Sequence, residues 1–274
     1  MCERQDFSVL MSLYVKEKAD YFDECMKSIL NQTVLPSEIV IVLDGPITDE
    51  LRKVLNYYLE KNPSLYKVVD NKVNKGLGPA LAEGIKHCSN TLVARMDTDD
   101  ISRSDRFELQ LREFIENPKL DICGSHIIEF DKSIKNVLAK RLVPLTHNKI
   151  IEYQKRRSAF NHMTVMYKKT TVLKAGNYQD APLMEDDVLW VNMIQKGAIC
   201  KNIDDYLVYA RTGIAMIGRR GGWDYLKKYQ KGRKKILETG YIGLFDYYIT
   251  LVIQFIIAII PSNLRLLAFK YILR

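Results

Sequence analysis

The sequence lacks any pair of cysteines at redox or metal-binding spacing. Its five cysteines, at positions 2, 25, 88, 123 and 200, are odd in number and far apart. That argues against a disulfide framework or a cysteine zinc site and fits reduced thiols in a cytoplasmic setting. The opening MCERQDFSVL has no basic segment leading into a long apolar stretch, so no secretory leader is expected. Apolar runs are also short. The longest, LFDYYITLVIQFIIAII at 244–260, falls below the ~20 residues of a membrane span and contains Asp246 and Gln254. No internal repeat or low-complexity linker divides the 274 residues.

Excess charge of one sign is missing from most of the chain. The net charge is +8, yet residues 201–274 hold 13 Lys/Arg against 5 Asp/Glu, and the first 200 residues hold 28 of each sign. A nucleic-acid-binding body would be basic throughout, so no nucleic-acid partner is expected; the pattern is a neutral body with a basic C-terminal face.

What is present is a run of alternating strand and helix patterns. FSVLMSLY (7–14), EIVIVLDG (38–45), YKVVDN (66–71) and TLVARM (91–96) read as strands. Helical stripes lie between them at 21–30, 48–60 and 78–88, and SDRFELQLREFIEN (104–117) follows, stopped by Pro118. Such units give right-handed crossovers and a mostly parallel sheet covered on both faces, an α/β fold whose ligands bind at the carboxyl ends of the strands. Beyond residue 120 the pattern is mixed: strands at 121–130, 162–167 and 206–211, and a helix at 187–197 closed by Gly197.

Two acidic groups stand out. ARMDTDD (94–100) places Asp97, Asp99 and Asp100 at the end of a strand. As a capping turn it would need one carboxylate, and Ser102 and Ser104 are at hand for that. As a divalent-cation site it would let Mn²⁺ or Mg²⁺ relieve the repulsion and bridge to a diphosphate. The second group, Glu185-Asp186-Asp187, precedes Leu189-Trp190; acids at a helix start also suit the helix dipole.

Five stretches in order, FSVLMSLYVKE (7–17), SILNQTVLPSEIVIVLDGP (28–46), NKGLGPALAEGI (74–85), ARMDTDD and MEDDVLW (184–190), resemble family 2 glycosyltransferases, of the kind that build bacterial O-antigen and capsular polysaccharides. The resemblance spans about residues 7–225 and implies the GT-A nucleotide-diphospho-sugar fold: a nucleotide-sugar half over 1–120, an acceptor half over 121–225 and a basic, apolar tail over 226–274. It implies that Asp44 meets the uracil edge, Asp97 the ribose or nucleotide, and Asp99, with Asp97, the metal. Asp100 is left between sugar hydroxyls and no assigned role, and Tyr14, Glu17, Asn74 and Gly76 border the nucleotide. Asp186, with Glu185 beside it, becomes the general base of an inverting transfer. The family often has Asp where this chain has Val188, which keeps Asp187 open as base or acceptor contact. His162 stands where relatives often have His-Pro, so it either touches acceptor or metal or is structural; Trp190 is an acceptor candidate. Arg219 and Arg220 suit a diphosphate.

The tail joins a basic helix, WDYLKKYQKGRKKIL (223–237), to the apolar run, which fits an interfacial or re-entrant attachment to the inner leaflet of the cell membrane better than a crossing helix. A polyprenyl-diphosphate-linked saccharide acceptor would be met there, the donor being a nucleotide sugar with UDP as the favoured carrier. A sugar-nucleotide nucleotidylyltransferase would need a GxGTR-like loop after the first strand, where LYVKEKAD stands. A catalytically silent scaffold of the same fold is the remaining alternative, against which Asp97, Asp99 and Asp186 speak.

Overall fold

The computed structural model describes residues 5–212 and 221–260. Nine strands form one mixed sheet: β1 (Phe7–Leu13), β2 (Glu38–Asp44), β3 (Tyr66–Asn71), β4 (Leu92–Arg95), β5 (Ile101–Ser102), β6 (Leu120–Asp131), β7 (Ser133–Arg141), β8 (Met166–Lys168) and β9 (Ile199–Arg211). Their order is β3-β2-β1-β4-β8-β6-β9-β5, with β7 paired to β6. The β3-β2-β1-β4 half is parallel. Antiparallel β8 joins it to β6, and β6 runs parallel to β9.

Helices α1 (Ala19–Leu30), α2 (Asp49–Lys61), α3 (Leu77–His87), α4 (Arg106–Glu116), α5 (His147–Gln154), α6 (Lys169–Lys174) and α7 (Glu185–Gln195) cover both faces. Side-chain alternation sorts the strands between two cores. On β1, Val9 and Met11 pack with α1, α2 and α4, whereas Leu10 packs with α3 and α7. On β4, Leu92 and Ala94 belong to the first core and Val93 to the second. Arg95 therefore points toward α3 and α7.

Several boundaries differ from the sequence expectation. Residues 162–167 are not one strand: His162–Thr164 form a 3₁₀ turn, held by the Thr164 N–H and hydroxyl on the Asn161 carbonyl (2.8 Å each), before β8 begins. Neither Ser102 nor Ser104 caps α4; its N-cap is Asp105, and the Ser102 hydroxyl instead accepts from Arg106 (3.1 Å). Helix α7 starts at Glu185 rather than at 187, so the whole acidic trio lies in its first turn.

Two further helices follow, α8 (Trp223–Glu238) and α9 (Leu244–Ile259). The boundary expected at 225/226 falls inside α8. Its Gly232 lies against Met184, where an added Cβ would sit 2.7 Å from the methionine side chain. Ile236, Ile242 and Tyr247 pack with Met184, Val188 and Val191, so the tail buttresses the start of α7. Among the described residues no helix is long and apolar enough to cross a membrane. The outer side of α9 is nonetheless apolar, with Leu244, Phe245, Tyr248, Val252 and Ile259 exposed and Phe255 edge-on to exposed Trp223.

Candidate active site

At the end of β4 the chain turns through Met96–Asp100 over the carboxyl edge of the sheet. The turn is pinned from beneath: Met96 N–H donates to the Leu10 carbonyl (3.1 Å), Thr98 hydroxyl to Glu17 (3.0 Å) and Cys25 thiol to the Asp97 carbonyl (3.1 Å). Two arginines supply positive charge that the carboxylates need. Arg95, 1% exposed, forms an ion pair with Asp97. Arg211, at the end of β9, donates its backbone N–H to Asp100 (2.7 Å) and its Nε to the Asp99 carbonyl (2.9 Å) while pairing with Glu24. Its guanidinium lies over Tyr21 at 3.9 Å and near Phe130 at 4.6 Å from the ring centroids.

These contacts do not fully offset the crowding. Burial, then the charges of Asp97 and Glu17, push Asp99 up to about 7. Asp100 is raised well above the carboxylate range, first by burial and then by Asp99 and Asp97. Glu17 is raised by burial. Asp100 Oδ2 is buried without a hydrogen-bond partner.

A cleft of about 420 Å³ opens over this turn, lined by Tyr14, Glu17, Asp44, Asn74, Gly76, Asp97, Asp99, Asp100 and Arg211 among others. It brings together all the sequence-selected nucleotide residues that lie in the described chain. Asp44 is already engaged within the chain: its two oxygens accept the N–H groups of Lys75 (2.8 Å) and Gly76 (2.9 Å), and its carbonyl accepts from Asn74 (3.0 Å). Each oxygen retains a second lone pair for a ligand. Gly76 is the N-cap of α3 at φ 91°, a left-handed conformation that glycine adopts without strain. Gly78 serves another purpose, since a Cβ there would lie 2.8 Å from the Gln179 carbonyl and 3.0 Å from Glu185 Cβ. The close approach is between α3 and the start of α7.

Glu185, Asp186 and Asp187 are half-buried beside that junction and do not line the cleft itself. Asp187 Oδ1 accepts from Gln154 Nε2 (2.8 Å), and Gln154 is fixed in turn by the Ala159 N–H (2.8 Å). Burial, followed by the charges of Asp187 and Glu185, lifts Asp186 well above the carboxylate range; the Asp187 N–H and Arg95 act against this. Glu185 is raised by burial, with Asp97 contributing, which links the two acidic groups electrostatically.

His162 belongs to an aromatic cluster, its Nε2 3.0 Å from the Tyr178 hydroxyl and its ring 5.8 Å from Trp190. Burial, then Arg95, lowers its proton affinity well below normal, so it is neutral. Trp190, 1% exposed, cannot stack on an acceptor: helical periodicity turns it into the second core. Arg219 and Arg220 lie outside the described residues. Arg95 and Arg211 went unselected. The first was visible in ARMDTDD but looked like a strand residue; the second is 111 positions from Asp100 in sequence, and no local pattern marks it.

Among the described residues no three His, Cys, Asp or Glu side chains form a metal-holding group. Asp97 and Asp99 offer oxygen alone, and Asp100 has its unpartnered oxygen beside them. That set suits a hard cation that completes its shell with phosphate oxygens and water, as Mg²⁺ and Mn²⁺ do, in preference to a protein-only cage.

Comparison with known proteins agrees with this geometry. The amylovoran biosynthesis glycosyltransferase AmsE of Erwinia amylovora is 39% identical over 89% of this chain and 91% of its own. The UDP-Gal:alpha-D-GlcNAc-diphosphoundecaprenol beta-1,3-galactosyltransferase of Escherichia coli is 34% identical over 98% of this chain and 96% of its own. Among solved structures, the mannosyltransferase PcManGT of Pyrobaculum calidifontis, in complex with GDP-Man and Mn²⁺, superposes with a TM-score of 0.62 at 13% identity, over 97% of this chain and 73% of that one. The fold is thus the GT-A fold that the sequence resemblance implies. The model described as "Glycosyl transferase family 2" matches residues 8–179, and the chain belongs to that family.

Proposed function

We propose that this chain moves a sugar from a nucleotide-diphospho-sugar to a saccharide on a polyprenyl diphosphate, with inversion at the anomeric carbon, in the assembly of a bacterial surface polysaccharide. The carrying observation is the cleft in which Asp44, Asp97, Asp99 and Asp100 converge at the carboxyl edge of the sheet, with the acidic first turn of α7 beside it. The relatives support the substrate classes. One is named for UDP-Gal and a GlcNAc-diphosphoundecaprenol acceptor, and one structural neighbour holds GDP-Man with Mn²⁺. UDP is the favoured carrier here.

Asp44, Asn74 and Gly76 form the wall for the base and ribose, with Tyr14 and Glu17 at the mouth. A divalent cation held by Asp99 and Asp97 would neutralise charge on the departing diphosphate. Asp186 takes the proton of the acceptor hydroxyl as that oxygen attacks from the face opposite the nucleotide. Asp187, tied to Gln154, is already engaged, which favours Asp186 as the base. Glu185 holds the α3 junction, and neutral His162 buttresses the aromatic cluster behind it.

The acceptor side is proposed to sit at the inner leaflet on the cytoplasmic face of the cell membrane. Exposed Lys227, Lys228, Lys231 and Lys234 of α8 would meet anionic headgroups, with the apolar face of α9 lying in the interface. Incubating the purified protein with Mn²⁺ or Mg²⁺, a panel of nucleotide sugars and a GlcNAc-diphospho-lipid tests the reading. Transfer or slow hydrolysis of one donor is expected; inertness toward every donor would favour a silent scaffold.

A further inference from the structure

We propose that a basic groove on the outer face of α5 binds the diphosphate of the lipid-linked acceptor, whose hydrocarbon chain then runs onto the apolar side of α9. The proposal rests on the acceptor class given above and adds the place where its anionic link is held.

The groove, of about 490 Å³, is lined by Pro144, Lys149, Glu152, Tyr153, Arg156 and Arg157. Positions 149, 152, 153 and 156 recur at helical spacing, so α5 turns them to one side while Ile150 and Gln154 are buried on the other. The N–H groups of Arg156 and Arg157 both donate to the Tyr153 carbonyl (3.1 and 3.0 Å), which carries the turn on past Gln154. The Arg157 guanidinium lies over the Tyr153 ring, 5.7 Å from its centroid.

Charge in and beside the groove is unbalanced. Glu152 pairs with Lys155 (2.7 Å) and Asp246 with Arg156 (2.6 Å), whereas Lys149 and Arg157 add positive charge without adding acid. Four cations thus face two carboxylates. A diphosphate esterified at both ends carries one negative charge per phosphorus, which matches that surplus. The arginines offer planar forks of the kind phosphate oxygens accept.

Printed by the same residues, the position of the groove lies between the acids and the tail. Gln154, next to Tyr153 in the chain, donates to Asp187 in the first turn of α7 (2.8 Å). Arg141 lines the donor cleft and donates Nη2 to the carbonyl of Ser158, the neighbour of Arg157 (3.3 Å). On the far side the Arg156 guanidinium lies 5.4 Å from the ring centroid of Phe245, which is exposed on α9 with Tyr248 and Val252. A saccharide directed at Asp186 leads back to a diphosphate at Arg156 and Arg157, and the chain beyond it leads to Phe245. A free phosphate would gain nothing from that apolar border, so the occupant assigned is the lipid diphosphate.

The test is calorimetry with decyl diphosphate in EDTA, on the parent protein and on the double variant Lys149→Gln with Arg157→Gln. Both positions are exposed, so the melting temperature should not move. The parent should bind and the double variant should bind about tenfold more weakly, with Arg157→Lys alone keeping most of the affinity. Inorganic diphosphate should bind the parent more weakly than decyl diphosphate, and phosphatidylglycerol vesicles should bind both proteins alike. In turnover with a GlcNAc-diphospho-lipid, the double change should raise acceptor KM about tenfold and leave donor KM unmoved. Equal affinity of the two proteins for decyl diphosphate overturns the proposal. So does equal affinity of the parent for inorganic and decyl diphosphate, or an equal loss toward vesicles. If the parent turns over no donor yet binds decyl diphosphate through these residues, the glycosyltransfer reading fails alone. If it transfers sugar with an acceptor KM indifferent to the double change, the groove assignment fails alone.

Discussion

Asp186, the proposed base, sits where burial strengthens a carboxylate's hold on a proton. Its environment raises its proton affinity, so it binds a proton more avidly than a surface aspartate, yet it ionises as pH rises through the raised value. Asp186→Asn should cut kcat by about 1,000-fold while nucleotide affinity, followed by calorimetry, stays within severalfold. The acid limb of kcat against pH should lie above the usual carboxylate range, because the protonated form that accumulates as pH falls is inactive. Asp187→Asn removes the largest neighbouring charge acting on Asp186, so its limb should move to lower pH. An unmoved limb would show that another group titrates. At this scale the sequence discloses acids that are adjacent in the text, Asp97, Asp99, Asp100 and Glu185–Asp187. It conceals their counter-charges, because Arg211 arrives from a distant strand and Arg95 is told from a core residue only once β4 has a register.

At the scale of elements, the site is set by how α3 and α8 converge on the start of α7. Gly78 and Gly232 are the contact points. Gly78→Ala drives a methyl against a backbone carbonyl, which cannot yield as a flexible side chain would, and should destabilise by about 1–3 kcal/mol in urea unfolding. It should also lower kcat by displacing Glu185; parental stability together with parental kcat would refute the tight junction. The first four strands and their helices were legible because each carries its own period and turn residues. The acceptor half was less so. Its strands pair across long separations, β6 with β9 and β8, and β7 is mostly exposed, with little apolar alternation to announce it. The sequence pattern starts this helix at 187 rather than 185 because Met184 caps it without a side-chain hydrogen bond, leaving no polar cap residue to mark its start.

For the whole molecule, the distribution of charge is the telling feature: a neutral body with a basic, apolar C-terminal face. Vesicles containing anionic lipid should sediment the protein, with binding weakened by raised salt, since headgroup attraction is screened within about 8 Å at physiological ionic strength. Phe245→Glu with Val252→Glu should reduce binding severalfold and leave turnover of a soluble acceptor intact. Equal binding to uncharged vesicles, or no effect of the double change, would contradict attachment through this face. The central claim is inverting transfer with Asp186 as base, and the most direct measurement is the anomeric configuration of the transferred sugar by NMR, made with the parent protein and with Asp186→Asn. The parent should give product with configuration opposite to that in the donor, and the variant almost none; retained configuration, or product from Asp186→Asn at the parental rate, would contradict it.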